Sequence, residues 1–262
     1  MLRIERDPRG TATLILDRPA ERNALSAELV ERLNAALLEL AADQKLRAIL
    51  LTGAGSAFCA GADIRAMRAA GSATPERNVA DARQFVALLD RLERMPQPTI
   101  AVVNGAAYGG AIGLIAACDI AIAGTSASFA LSEVRLGLIP AMISPYVVRA
   151  IGARQAGRFM QTGEVMDSMT AERIGLVHQA VEDAALPGAV ATLIDDLLAG
   201  GPAAQREIKM LLRRVTGRAD ASDVALQAEL AHWIARLRGS DEGKEGLTAF
   251  LERRRVKWRD PG

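Results

Sequence analysis

Apolar positions recur along this chain in two periods, and the changes of period mark its elements. Leu2-Arg3-Ile4-Glu5-Arg6 alternates, Asp7-Pro8-Arg9-Gly10 carries turn chemistry, and residues 11–16 alternate again, which predicts a β-hairpin. Asp17-Arg18-Pro19 breaks the second strand. Ser26 reads as an N-cap, because a serine oxygen accepts from the free N–H groups of the turn that follows it. The helix it opens covers residues 27–41, with Leu29, Leu33, Leu37 and Leu40 at helical spacing. A short apolar strand over 47–52 ends at Gly53-Ala54-Gly55. A second helix over 76–94 puts Phe85, Leu88, Leu89 and Leu92 on one face, and Pro96 and Pro98 end it.

The alternation of strands and helices continues. Residues 99–103 form a buried strand, 104–115 a Gly-rich turn running into a helix, 119–123 a strand and 128–130 a short one. Helices follow over 145–150 and 153–162, and 176–181 is the last strand-like run. From Asp183 the pattern is helical throughout: 184–198, 202–215, 221–237 and 242–255. Strands alternating with helices, then a helical tail, predict an α/β core over 1–200 and a helical domain over 201–262.

Composition narrows the function. The chain has 262 residues, with 32 Lys plus Arg against 31 Asp plus Glu, a net charge of +1. That balance argues against gripping nucleic acid or an anionic membrane. Aromatics make up only 3%, which argues against a base-stacking platform. Half the residues are hydrophobic and 24% charged, as in a globular protein. Cys59 and Cys118 form neither a disulfide framework nor a metal-ligand spacing, and His178 and His232 add no zinc site, so no metal is expected. The N-terminus lacks the apolar core of a secretory signal, and no run of 18 apolar residues exists. The expectation is a cytoplasmic protein.

Four constellations carry possible chemistry. Ser56-Ala57-Phe58-Cys59-Ala60-Gly61-Ala62-Asp63-Ile64 takes a buried strand through small residues into a helix start, either a tight turn or a place where backbone N–H groups meet a negative ligand. Gly53-Ala54-Gly55 lacks the third glycine of a dinucleotide fingerprint. Val103-Asn104-Gly105 through Gly109-Gly110 to Gly113 is not a phosphate-binding P-loop, since no Gly-Lys-Ser/Thr follows. It is either close helix packing or a second N–H donor at a helix start. Two such donors aimed at one carbonyl oxygen make an oxyanion hole. Glu133, in the otherwise apolar segment Leu131 to Pro140, is either solvated beside Arg135 or a pocket carboxylate whose pKa is raised by desolvation. The basic run Glu252 to Asp260 holds five basic and two acidic residues, and is either a solvated face or a phosphate contact.

Taken in order, these segments resemble the crotonase, or enoyl-CoA hydratase/isomerase, superfamily over nearly the whole chain. The resemblance rests on Leu16-Asp17-Arg18-Pro19 with Asn23-Ala24-Leu25, on Ala57 to Ile64, on Val103-Asn104-Gly105 through Gly109-Gly110 to Cys118-Asp119, on Ser132 to Pro140, and on the tail Glu242 to Arg254. It implies a spiral of repeated ββα turns with a C-terminal helical domain that mediates trimer formation, trimers that can pair into hexamers, and acyl-CoA substrates with no separate cofactor. It places the two oxyanion N–H groups at Ala62 and Gly110 and the acid/base carboxylate at Glu133. It sets Ala60, Asp63, Ile64 and Arg65 beside CoA, with Arg22, Phe250 and, from a neighbouring subunit, Arg253 as further CoA contacts.

One departure bears on mechanism. The family's best-known hydratases carry two glutamates, and the first of those positions is Gly113 here. A single carboxylate suits proton transfer between the α and γ carbons, as in the family's isomerases, so an enoyl-CoA isomerase is the alternative and a non-catalytic acyl-CoA-binding paralogue a lesser one. A closer resemblance runs to bacterial methylglutaconyl-CoA hydratases, through Gly110-Ala111-Ile112-Gly113-Leu114, Ala141 to Gly152, Arg236-Leu237-Arg238 and the Glu-Gly-x-Glu-Gly-Leu tail. Those enzymes also carry glycine at the first glutamate position, and their substrates bear a second carboxylate.

Overall fold

The computed structural model describes residues 1–216 and 222–257. The chain opens with the hairpin of β1 (Leu2–Asp7) and β2 (Thr11–Leu16), followed by α1 (Ala27–Ala42). Ser26 caps α1, accepting from Leu29 N–H at 3.2 Å. Three successive turns of one pattern come next, each a long strand, a short strand and a helical segment. They are β3 (Ala48–Gly53) and β4 (Ala57–Cys59) with α2 (Ile64–Gly71) and α3 (Pro75–Glu93); β5 (Thr99–Val103) and β6 (Ala106–Tyr108) with α4 (Gly110–Ala117); and β7 (Ile120–Gly124) and β8 (Ser128–Ala130) with a 3-10 turn (Ser132–Leu136) and α5 (Ser144–Thr162). Then follow β9 (Met166–Asp167), α6 (Ser168–Arg173), β10 (Gln179–Val181), α7 (Leu186–Ala199), α8 (Pro202–Val215), α9 (Ser222–Gly239) and α10 (Asp241–Leu251).

The long strands, with the short β10 at one edge, form a six-stranded sheet in the order β1-β2-β3-β5-β7-β10, antiparallel only between β1 and β2. The short strands form a second sheet, β4-β6-β8-β9, parallel except at β8-β9. This is the ββα spiral expected from the sequence. Parallel neighbours require crossovers, and these helices provide them. A parallel sheet buries both faces, and β3 shows how. Ile49 and Leu51 enter the main core with α1 and α3, while Leu50 faces α7 through Leu186, Val190 and Ile194. Phe58 and Phe129, on the two short strands, are fully buried in the main core.

The elements missed in the sequence are short ones. β4 and β6 lie inside the two Gly-rich turns, and β9 and α6 follow α5 unannounced. The two helices expected over 145–150 and 153–162 meet within α5 at Gly152, whose non-helical φ of 73° and ψ of 154° separates them. α9 and α10 pack over α2 and α3, sharing a cluster of Met67, Val86, Leu230, Ile234 and Leu247. α8 has no buried residue, and Ile208, Met210, Leu211, Leu212 and Val215 are each more than half exposed. It is tethered by Lys209, whose Nζ donates to Asp119 Oδ2 at 2.5 Å and to the Gln97 carbonyl at 3.1 Å. Among the described residues no single helix is long and apolar enough to cross a membrane.

Candidate active site

The two Gly-rich turns lie side by side. After β4 the chain runs beside Leu25, whose N–H donates to the Gly61 carbonyl (2.8 Å) and whose carbonyl accepts from Asp63 N–H (3.0 Å). This parallel bridge uses the groups flanking Ala62. The backbone alternation therefore turns the N–H of Ala62 to the opposite side, toward a cavity of about 440 Å³ that Ala62 lines. After β6, Gly109 N–H donates to the Ala130 carbonyl at 2.8 Å. Gly109 has φ 53° and ψ −121°, a conformation essentially restricted to glycine. That turn starts α4 at once, so Gly110, its first residue, has no intrahelical acceptor for its N–H, and it lines the same cavity. The turns are in contact: a Cβ on Gly61 would lie 2.5 Å from the Tyr108 carbonyl oxygen.

Two asparagines hold this arrangement. Asn23 is fully buried, accepts from Arg18 N–H and donates to the Ala54 and Ala57 carbonyls at 2.9 and 2.8 Å. Asn104 donates to the carbonyls of Gly53 and Gly55, both at 2.9 Å, and accepts from Gly53 N–H. Each replaces the sheet pairing that the turn backbone gives up.

Glu133 sits in the 3-10 turn after β8, where its carbonyl accepts from Leu138 N–H at 3.1 Å. Its carboxyl lies against the second turn: a Cβ on Gly109 would be 3.1 Å from Glu133 Oε1. Oε2 is buried with no hydrogen-bond partner among the described residues. Burial pushes this carboxyl from its ordinary 4.5 up to about 7, and a hydrogen bond from its own backbone works weakly against that. The group therefore exchanges its proton near neutral pH, as a proton shuttle must. Arg135 is exposed and makes no ion pair with it.

Gly113 explains the absent second carboxylate in steric terms. A Cβ there would lie 2.2 Å from Ile143 Cγ2 and 2.8 Å from Ile143 Cβ. Ile143 is buried and lines the cavity, so its side chain occupies the room a larger residue at 113 would need. Met67, Phe85, Leu136, Ile139 and Ile234 complete the apolar wall.

The remaining expected contacts divide. Ala60, Asp63 and Ile64 line the cavity. Asp63 is primarily the N-cap of α2, accepting from Arg65 N–H at 3.1 Å and Ala66 N–H at 3.4 Å, with Arg18 Nη2 3.6 Å from its other oxygen. Arg22, Arg65, Phe250 and Arg253 are exposed and outside the cavity wall. In the basic tail Arg254 is engaged by Glu245 (2.6 and 3.0 Å) and Glu252, and its guanidinium holds Glu245 down to about 2. Trp258, Arg259 and Asp260 lie outside the described residues. Sequence reasoning did not assign Ile143 or Arg238 to the wall, because neither burial nor proximity is visible in a one-dimensional pattern.

The four groups set aside are structural. Burial pushes the thiols of Cys59 and Cys118 up to about 12, which keeps them protonated and inert. His178 Nδ1 accepts from Ala121 N–H, and His232 Nδ1 lies 2.7 Å from the Ala228 carbonyl within its own helix.

The chain is similar to known proteins along nearly its whole length. A family model described as enoyl-CoA hydratase/isomerase matches residues 6–261. The short-chain-enoyl-CoA hydratase of Clostridium acetobutylicum is 31% identical over 252 residues, covering 94% of this chain and 93% of that protein. The crystal structure of an enoyl-CoA hydratase from Shewanella pealeana is 40% identical, covers 98% of this chain and 95% of its own, and superposes with a TM-score of 0.79. One from Mycobacterium avium is 36% identical, with 98% of both chains covered and a TM-score of 0.84. By its sequence, its spiral and the matched family model, this chain belongs to the enoyl-CoA hydratase/isomerase family.

Proposed function

We propose that this protein adds water across the double bond of a 2-enoyl-CoA. The thioester oxygen accepts from the N–H groups of Ala62 and Gly110. As the enolate forms, these donors stabilise its charge without reorganising. Glu133 takes a proton from water as the oxygen attacks C3 and returns a proton to C2, so one molecule of water is added and the carboxylate is regenerated. The chemistry asks for no cofactor beyond the CoA of the substrate. The observation that carries this reading is the placement of the Glu133 carboxyl against the Gly109-Gly110 turn, on the cavity that Ala62 also lines. Glu133→Gln is expected to lower turnover by about 100-fold or more while acyl-CoA binding changes little. Near-normal turnover would remove Glu133 from the mechanism.

A second reading, enoyl-CoA isomerisation, is favoured by one observation: Ile143 fills the space at Gly113, leaving a single carboxyl for both protons. A 3-enoyl-CoA substrate separates the two, because isomerisation moves the double bond without water uptake. Within the hydratase reading, the resemblance to methylglutaconyl-CoA hydratases is supported by Gly113, and the substrate's second carboxylate, or a polar group near it, would help hold the water. Hydration of crotonyl-CoA and 3-methylglutaconyl-CoA side by side tests this, and equal or better activity on crotonyl-CoA contradicts it. The exposed apolar face of α8 supports assembly into homotrimers, since it needs a neighbouring subunit to cover it.

A further inference from the structure

The cavity contains one feature that adding water to a simple enoyl chain does not use. Arg238, near the end of α9, is 7% exposed and lines the cavity wall. Burying a guanidinium in a cavity wall that it shares with Met67, Ala70 and Ile234 is costly unless its donors are met. They are poorly met. Nε is buried with no hydrogen-bond partner among the described residues, and Nη1 makes only a long 3.4 Å bond to Asn78 Oδ1. Asn78 is itself committed, donating to the Ala235 carbonyl at 2.7 Å. The one carboxylate that attracts Arg238 through space, Asp81, is exposed and forms no ion pair with it. Among the described residues Arg238 is the only cation in the cavity wall.

Its position is as informative as its loneliness. α2 begins beside Ala62, with Asp63 as its cap, and ends at Gly71. A Cβ on Gly71 would lie 2.3 Å from the Arg238 carbonyl oxygen, so the two backbones touch there. Eight residues of helix separate the oxyanion end from the arginine end, about 12 Å. An arginine side chain and a short diacyl chain together fill that interval.

We propose that Arg238 is a specificity residue that binds a carboxylate at the far end of the acyl chain, making short dicarboxylic 2-enoyl-CoA thioesters the substrate class. This rests on the hydratase reading above, with the second substrate carboxylate proposed there, and adds to it the residue of this chain that binds that carboxylate. A guanidinium presents parallel N–H donors to a carboxylate, and such charge-assisted pairs are the strong ones in a water-poor pocket. A monocarboxylic chain leaves Nε unmet, which is a penalty against the wrong substrate as well as a gain for the right one.

The test has two arms. In the first, binding of the unreactive saturated thioesters glutaryl-CoA and butyryl-CoA to the wild-type protein is measured by calorimetry. The expected result is that glutaryl-CoA binds about 10- to 100-fold more tightly. Equal affinity, or tighter butyryl-CoA binding, overturns the proposal even where no turnover is found, so this arm stands if the hydratase reading fails. In the second, the ratio of kcat/KM for glutaconyl-CoA over crotonyl-CoA is compared between wild type, Arg238→Lys and Arg238→Met. The ratio is expected to fall about 10- to 100-fold in Arg238→Met and less in Arg238→Lys, whatever general loss either variant suffers. An unchanged ratio in Arg238→Met means the arginine is a packing residue only. Wild-type hydration of neither thioester counts against the hydratase reading and leaves the first arm to decide on Arg238.

Discussion

Replacing Glu133 by glutamine should make the protein less active and, at alkaline pH, more stable. The reason is the cost of keeping an ionised carboxyl in the cavity wall. In the unfolded chain this group titrates at its ordinary 4.5, and in the folded protein burial moves it up to about 7. Below pH 4.5 both states hold the proton and the native protein carries no penalty. Between 4.5 and 7 the unfolded state has lost its proton while the native state keeps it, so stability falls as pH rises. Above 7 the full cost is present. At about 1.4 kcal/mol per tenfold difference, it reaches about 3 kcal/mol, an upper figure because the carboxyl faces a cavity that water can enter. Glutamine has nearly the same shape and no charge, so it removes the cost without opening a void. The assay is chemical denaturation of wild type and Glu133→Gln from pH 4.5 to 8.5. The expected stability gain is near zero at pH 4.5 and grows to between about 1 and 3 kcal/mol at pH 8.5. A gain independent of pH, or a variant less stable than wild type at pH 8.5, would refute the burial argument.

Other perturbations follow from the same geometry. Gly113→Ala should destabilise by about 1–3 kcal/mol, because its Cβ collides with Ile143, and adding Ile143→Ala should return part of that loss in a double-mutant denaturation cycle. Strict additivity of the two would show that the side chains do not compete for one space. Gly110→Pro removes an N–H at a helix position where proline is tolerated, and should cost about 100- to 1000-fold in turnover beyond Gly110→Ala, which controls for the contact of a Cβ with Phe85. Leu211→Glu combined with Val215→Glu should lower the sedimentation coefficient by dissociating the homotrimer proposed through the exposed face of α8. An unchanged sedimentation profile would place subunit contacts elsewhere.

How far the sequence reached depended on the range of the forces involved. β2 and α1 were legible because their signals are local: alternation over 11–16, and Ser26 followed by leucines at helical spacing. The hairpin turn and the proline that ends β2 were legible for the same reason. β4 and β6 were not, because each lies inside a Gly-rich turn and exists only through pairing with a distant neighbour. Their small residues signal a turn and hide the strand within it. Among candidate site residues, Ala62, Gly110 and Glu133 follow from the family resemblance that the ordered motifs carry, and the fold brings all three to one cavity. Asp63 was read as a ligand contact, yet a helix cap explains most of its bonds. Ile143 and Arg238 acquire meaning only in three dimensions. One fills the space beside Gly113, and the other is buried by helices far from it in the chain.

The most direct measurement is conversion of a 2-enoyl-CoA in ¹⁸O-labelled water by wild type and by Glu133→Gln, with the product analysed by mass spectrometry. The expected product is a 3-hydroxyacyl-CoA carrying the label at C3, formed by the wild type and slowed about 100-fold or more in the variant. An unlabelled product with a shifted double bond, or labelled product formed equally fast by Glu133→Gln, would contradict it.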